Sequence, residues 1–264
     1  MAGCSVTRLF YDRIDVFIRW YLDDYVALTN AQKVSFDARL EAFLFWHRTE
    51  ELPLYVNILD DFLEMLDQGS SYTSLQKISK SIEGAAMRIQ ARSVELLLAT
   101  GADLDEAQFQ QLSRVLISDH QELEADLLVR DEGKYRSDIE KRFKDQSYKY
   151  MGSLTKKQVS LIQHAISSMV RLDSLWLVDR ETWIKELSAI LNARESDWMF
   201  KVRSLFSNLD EMEAQEYREA VEQNKEVLLN LIAEVINIRT DKQDLKLRRK
   251  LRSLKNDLEK LYVP

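Results

Sequence analysis

The chain has 264 residues, 45% of them hydrophobic and 31% charged, and its 44 acidic and 37 basic side chains leave a formal net charge of −7. That balance disfavours nucleic acid as the main partner, because a phosphate backbone calls for a concentrated positive surface, and the supply of Leu, Phe, Trp and Tyr excludes wholesale disorder. Six glycines and two prolines, with no alternating β-branched runs, leave little material for a sheet, and no apolar run reaches the ~20 residues that span a bilayer. The expected fold is all-α: about nine to ten helices in an elongated or curved assembly, several opened by T-x-x-Q capping boxes.

The one cysteine, Cys4, excludes an intramolecular disulfide and a Cys-rich metal site. Met1-Ala2-Gly3-Cys4-Ser5 looks like the tail of a bacterial lipobox, in which the cysteine is lipidated. Residues 1–6 are then a tether, with Ser after the cysteine resembling the outer-membrane sorting pattern. A single helical domain is expected over 7–264, divisible into lobes 7–150 and 151–264.

Residues 7–27 carry Leu9, Phe10, Ile14, Phe17, Ile18, Tyr21 and Tyr25 at steps of three and four, which predicts one amphipathic helix. Asp23 and Asp24 fall at its C-terminal end, where the helix dipole disfavours negative charge; they are candidate binding residues unless a basic side chain pairs with them. Leu28-Thr29-Asn30-Ala31-Gln32 is a capping box, Thr29 and Gln32 each satisfying the other's backbone N–H. It opens a helix from Asn30 to about Glu51, after which Pro53 begins or kinks the next. His47 with Glu50 or Glu51 has the spacing of a metal pair on one helical face. No second set joins it, since His120 and His164 are isolated, so a structural histidine is the simpler account and no metal or cofactor is expected.

Helix then runs from Leu54 to Leu66, stops at 67–71, and restarts at Thr73-Ser74-Leu75-Gln76 to continue to about Ala99. Asp105 with Gln108 opens the next long helix. A charged helix from Lys134 to about Tyr150 ends at Gly152-Ser153, and Thr155 with Gln158 opens another. A turn is expected at Leu177–Asp179, leading into one helix that holds Trp183 through Trp198 to Phe206. A helix over about 211–237 follows, and Thr240 with Gln243 caps the last, ending near Tyr262. Five boxes that all choose Gln, where Glu would cap equally well, hint at a second task. The last helix carries Arg248, Arg249, Lys250 and Arg252, a basic patch for anionic lipid or an acidic partner, or else a solvated face that pairs with acidic helices.

The LTNAQ and LTKKQ segments are similar to the LTxxQ signature of the periplasmic Spy and CpxP proteins, helical proteins that bind unfolded clients without ATP. Cys4-Ser5, Tyr11-Asp12, Trp20–Val26 and, above all, Trp46-His47-Arg48 with Glu50-Glu51-Leu52-Pro53-Leu54-Tyr55 resemble a family of uncharacterised gammaproteobacterial lipoproteins. That resemblance implies an envelope address, facing the periplasm from the outer membrane, and no activity. The candidate binding surface is therefore Asp23, Asp24, Trp46, His47, Glu50, Glu51 and Tyr55. The expected function is a lipid-anchored, periplasm-facing helical binding protein, chaperone-like or accessory to envelope assembly, with a protein or peptide client. The alternatives are a foldase-like scaffold for one secreted or outer-membrane partner, or an enzyme using His47 and nearby carboxylates. Against the last, no phosphate loop, nucleophile elbow or metalloprotease motif occurs.

Overall fold

The computed structural model describes residues 6–208 and 213–262, and every regular element among them is helical. In chain order these are α1 (Val6–Tyr11), α2 (Ile14–Tyr25), α3 (Asn30–Trp46), a π turn (His47–Glu51), α4 (Leu52–Gln68), α5 (Tyr72–Gly101), α6 (Glu106–Leu128), α7 (Glu132–Met151), α8 (Lys156–Ser168), α9 (Asp173–Ala193), α10 (Trp198–Ser207), α11 (Gln215–Asn237) and α12 (Asp241–Tyr262).

Three expectations need correction. The first helix is two, α1 and α2, broken at Asp12-Arg13, where two exposed charged residues interrupt the apolar period. No turn occurs at 177–179; Leu177 is a buried side chain within α9. The break comes later, at Arg194, which adopts a left-handed φ of 44° and donates from its guanidinium to the Leu104 carbonyl at 2.6 Å. Trp198 therefore opens α10 rather than continuing α9.

Four of the five expected capping boxes form. Thr29, Asp105, Thr155 and Thr240 each accept from the backbone N–H of the Gln three residues on, at 2.9–3.3 Å. Each of those Gln side chains accepts in return from the cap's own N–H. The fifth does not form. Ser71 and Ser74 bond reciprocally ahead of α5, which leaves Thr73 inside the helix and Gln76 bonded to the Tyr72 hydroxyl. Gly69 and Gly152 end α4 and α7 with φ of +93° and +91°, a conformation that side chains resist.

The helices form two compact units, each drawn from three stretches of chain. The first holds Met1–Glu51, Ala86–Leu127 and Asp173–Ala214; the second holds Leu52–Ala85, Leu128–Leu172 and Gln215–Pro264. The division is thus not a single cut after residue 150. The first unit's core gathers Phe36 and Leu40 of α3, Val94 and Leu98 of α5, Phe109 of α6, Leu187 and Leu191 of α9, and Trp198 and Val202 of α10. The second gathers Met65 and Leu66 of α4, Leu75 and Ile78 of α5, Ile162 and Ile166 of α8, Leu231 and Val235 of α11, and Leu247 and Leu251 of α12.

Both units are tied by the same device. In the first, the Gln32 and Gln108 amides face each other and exchange N–H···O bonds of 2.8 Å in both directions. Each uses its second N–H on a backbone carbonyl, Gln32 on Asp103 at 2.6 Å and Gln108 on Ala27 at 2.7 Å. In the second, Gln158 and Gln243 exchange bonds of 3.1 and 2.9 Å and reach Val235 and Ser153 carbonyls. A glutamate in any of these places would cap its own helix and have no N–H to give the other. That is the second task for which Gln is used.

Candidate functional site

The expected helix from Asn30 to Glu51 is α-helical only to Trp46, and five residues of π helix then lead into α4. Pro53 supplies the reason. It lacks an N–H, and its ring would collide with the carbonyl four residues back, that of Thr49, in a regular α-helix. The widened turn lies across Thr49, whose hydroxyl donates back to the Phe45 carbonyl at 3.0 Å. Single π turns recur at functional sites, and this one gathers aromatic and charged groups.

His47 Nδ1 and the Tyr11 hydroxyl are hydrogen bonded at 2.8 Å, and their rings stack at 5.7 Å. Phe43 and Trp46 pack on the other sides of the imidazole, with ring centroids 6.5 and 6.3 Å away. The Arg48 guanidinium stands 5.4 Å above the Tyr11 ring and that of Arg92 stands 5.1 Å above Trp46. Burial depresses the His47 pKa below that of free histidine, and the negative charge of Glu51 opposes the shift only in part. Burial likewise raises the Tyr11 phenol, against the pull of Arg48. Glu51 is 1% exposed. Arg88 holds it with two parallel bonds of 2.6 and 3.0 Å, so this carboxylate is a structural anchor enclosed beneath the turn, while Glu50 faces solvent.

Beside the turn, α1, α2 and α3 enclose a cleft of about 630 Å³. Its charged wall is Arg19, bonded to both Asp15 and Asp37 at 2.6 Å. The outer surface of α1 and α2 is unlike the wall. Leu9, Phe10, Val16, Phe17, Trp20 and Tyr21 are all exposed, Trp20 to 66%, and Phe10 and Phe17 stack at 5.1 Å. The inner side of α2 packs on the core through Ile18 and Leu22. A soluble helix ordinarily turns charge outward, and these two instead present six large apolar side chains to solvent.

The remaining predicted residues are dispersed. Asp23 pairs with Lys33 at 3.3 Å, which relieves the conflict with the α2 dipole, and Asp24 is exposed. Tyr55 is half-buried in α4 and belongs to the second unit. The basic patch divides. Arg248 is bonded to Asp244 at 2.8 Å and Asp67 at 2.6 Å, and its neighbour Lys255 to Asp60 at 2.5 and 2.7 Å; Arg249, Lys250 and Arg252 are exposed. Of the patch only Arg248, with Lys255 beyond it, therefore meets acidic side chains of α4 and α12. Cys4 lies outside the described residues. Among the described residues no three His, Cys, Asp or Glu side chains come together to hold a metal, and no helix is long and apolar enough to cross a membrane.

Reading the residues in order missed Tyr11, Arg88 and Arg92. Tyr11 sits 36 positions from His47 and Arg88 37 from Glu51, and no local pattern pairs residues at that range. The model of a family described as a family of unknown function, DUF6279, matches residues 24–218. No curated protein and no solved structure matches the chain.

Proposed function

The chain belongs to DUF6279, a family of unknown function, and within it we propose a lipid-anchored, periplasm-facing helical binding protein that holds apolar segments of a client away from water. The observation that carries this reading is the outward face of α1 and α2, where six large apolar side chains stand in solvent within two short helices. Each such side chain gains roughly 1.5–3 kcal/mol on full burial, so a partner covering most of the six recovers several kcal/mol without a deep pocket. The face begins five residues after Cys4, so lipidation there places it beside the membrane, where exported chains emerge unfolded. The LTNAQ and LTKKQ segments support the same reading through their likeness to Spy and CpxP. No catalytic step is assigned to His47, which bonds the Tyr11 phenol and packs among aromatic rings.

The test is suppression of aggregation of several unrelated unfolded proteins at near-stoichiometric ratio, comparing the native chain with the double variant Phe17→Asp, Trp20→Asp. Both positions are exposed, so helicity should be unchanged. The native chain should suppress aggregation and the variant should lose most of that effect. No suppression with any client would overturn the reading, and one stoichiometric envelope protein co-purifying with the native chain alone would instead mark a dedicated scaffold. Cys4→Ser should move the protein from the membrane to the soluble fraction of the envelope; an unchanged distribution would remove the anchor from the account.

A further inference from the structure

A partly open apolar pocket reaches into the core of the first unit. A cavity of about 570 Å³ runs among α2, α3, α5, α6, α9 and α10, within the ~300–1,000 Å³ range of small-molecule sites. Its wall is almost wholly hydrocarbon and aromatic, with Leu22, Leu97, Leu112, Leu116 and Phe206 among the contributors. Gly101 lies in the same wall, and a Cβ there would stand 3.0 Å from the Trp198 ring, so the glycine lets that ring pack closely against the α5 backbone.

Two polar groups interrupt the wall from α9. Arg180 and Trp183 both line the cavity, three residues apart and so on one helical face. The Arg180 Nη1 and the Trp183 indole Nε1 are both buried and without a hydrogen-bond partner among the described residues. Buried donors are ordinarily satisfied, and here a cation and a neutral donor are left open together beside an apolar chamber, which asks for an acceptor that is negatively charged. A planar guanidinium matches the two oxygens of a carboxylate. If each chain atom takes about the ~30 Å³ of a liquid water molecule, the volume holds a chain of under about twenty heavy atoms.

We propose that this cavity binds one long-chain fatty acid, its hydrocarbon tail in the chamber and its carboxylate on Arg180 and Trp183. The site shares Tyr21 with the outer face of α1 and α2, but neither Phe17 nor Trp20 lines the cavity, so the Phe17→Asp, Trp20→Asp variant and the Arg180→Gln variant test the two assignments apart. Tail burial supplies affinity and the α9 pair supplies preference for an acid over an alcohol or a cation of the same length.

The experiment uses the purified full chain, stripped of bound lipid on a hydrophobic resin and titrated by calorimetry with palmitate, hexadecanol and hexadecyltrimethylammonium below their aggregation concentrations. Palmitate should bind one to one, on the order of tenfold or more tighter than the other two. Arg180→Gln should remove that preference and leave hexadecanol binding unchanged, and Leu116→Trp, which fills the chamber, should abolish binding of both. A second readout does not depend on the filled variant folding: palmitate brominated along its tail should quench the fluorescence of Trp183 and Trp198 and leave that of Trp20, separated by single Trp→Phe variants. Absence of saturable palmitate binding, binding indifferent to Arg180→Gln, or quenching confined to Trp20 would each overturn the proposal.

Discussion

Replacing Gln158 with Glu changes one NH2 group to an oxygen, keeps the side-chain shape, and leaves the capping bond to the Thr155 N–H possible. What it removes is the traffic between helices. The Gln158 amide donates to Gln243 Oε1 at 3.1 Å and to the Val235 carbonyl at 3.2 Å, and the residue is 0% exposed. Each lost bond is worth about 1 kcal/mol net, and buried acceptors left facing a carboxylate add about 1–3 kcal/mol more, so a loss of roughly 3–5 kcal/mol is expected at pH 7. Thr155→Ala, which removes only the cap, should cost about 1 kcal/mol. Urea unfolding followed together by circular dichroism and Trp fluorescence separates the units, because all five tryptophans lie in the first. Gln158→Glu should move the transition seen by circular dichroism, and Gln32→Glu the one seen by fluorescence, less strongly because Gln32 is only half-buried. Once the introduced carboxyl is protonated it regains one donor, so the deficit should narrow as pH falls towards about 4, near the ordinary glutamate pKa. A Gln158→Glu loss no larger than that of Thr155→Ala would refute the amide pair as a tie between helices.

Arg88→Met leaves the Glu51 carboxylate enclosed without its bidentate partner. Breaking a buried pair costs about 3–5 kcal/mol, but the Arg88 side chain is 43% exposed, and screening lowers the expectation to about 2–3 kcal/mol, read as a shift of the fluorescence-detected unfolding midpoint. His47 should titrate below the ordinary ~6.5 of free histidine when its ring protons are followed by NMR, because burial disfavours its charge. Glu51→Gln should lower it further by removing the one opposing charge. Since the folded pKa lies below the unfolded one, His47 destabilises the fold progressively as pH falls from about 6.5 towards the folded value, and a titration at or above 6.5 would contradict the burial argument. The Glu83 carboxyl is held below its usual range by the hydrogen bond from Lys225, 2.8 Å away. Its contribution is therefore present above the unfolded carboxyl pKa of about 4.3 and is lost as pH falls through the folded value. Glu83→Gln should flatten that part of the acid limb of a stability–pH profile; an unaltered limb would show the pair to be fully screened.

Much of the helical layout is written locally. Thr29, Asp105, Thr155 and Thr240 announce helix starts, and Gly69 and Gly152 mark ends, because caps and left-handed turns are chemistry within a few residues. Thr73 misled for the same reason: Ser71 and Ser74 make a competing box, opening two positions earlier, that motif matching overlooks. The π turn was foreshadowed by Pro53, which demanded some irregularity without saying which. What stayed illegible was partnership across distance. That Gln32 would meet Gln108, Glu51 Arg88, or His47 Tyr11 depends on which helices pack together, and amphipathic stripes of similar composition do not encode their partners uniquely. The candidate site fared accordingly. Trp46 and His47 were identified from their own stretch, while Tyr11, Arg88 and Arg92 around them, and the outward turn of Phe17 and Trp20, emerged only from the packing.

The interleaving of the two units bears on how the polypeptide becomes folded at all. Between the Gln32 and Gln108 boxes lie α4 and the start of α5, which pack in the second unit; between the Gln158 and Gln243 boxes lie α9 and α10, which pack in the first. Each half of the chain thus lends its middle to the other's core. A ribosome or an export channel releasing the chain from its N-terminus delivers Met65 and Leu66 long before Leu247 and Leu251, the α12 residues that share their core. Non-local cores of this kind form slowly, because the intervening loop must close before any contact rewards it. The nascent protein has all of its first unit only once residue Ala214 is out, and all of its second only with α12. The two cores are thus completed in order during synthesis, the first before α11 and α12 and the second with them.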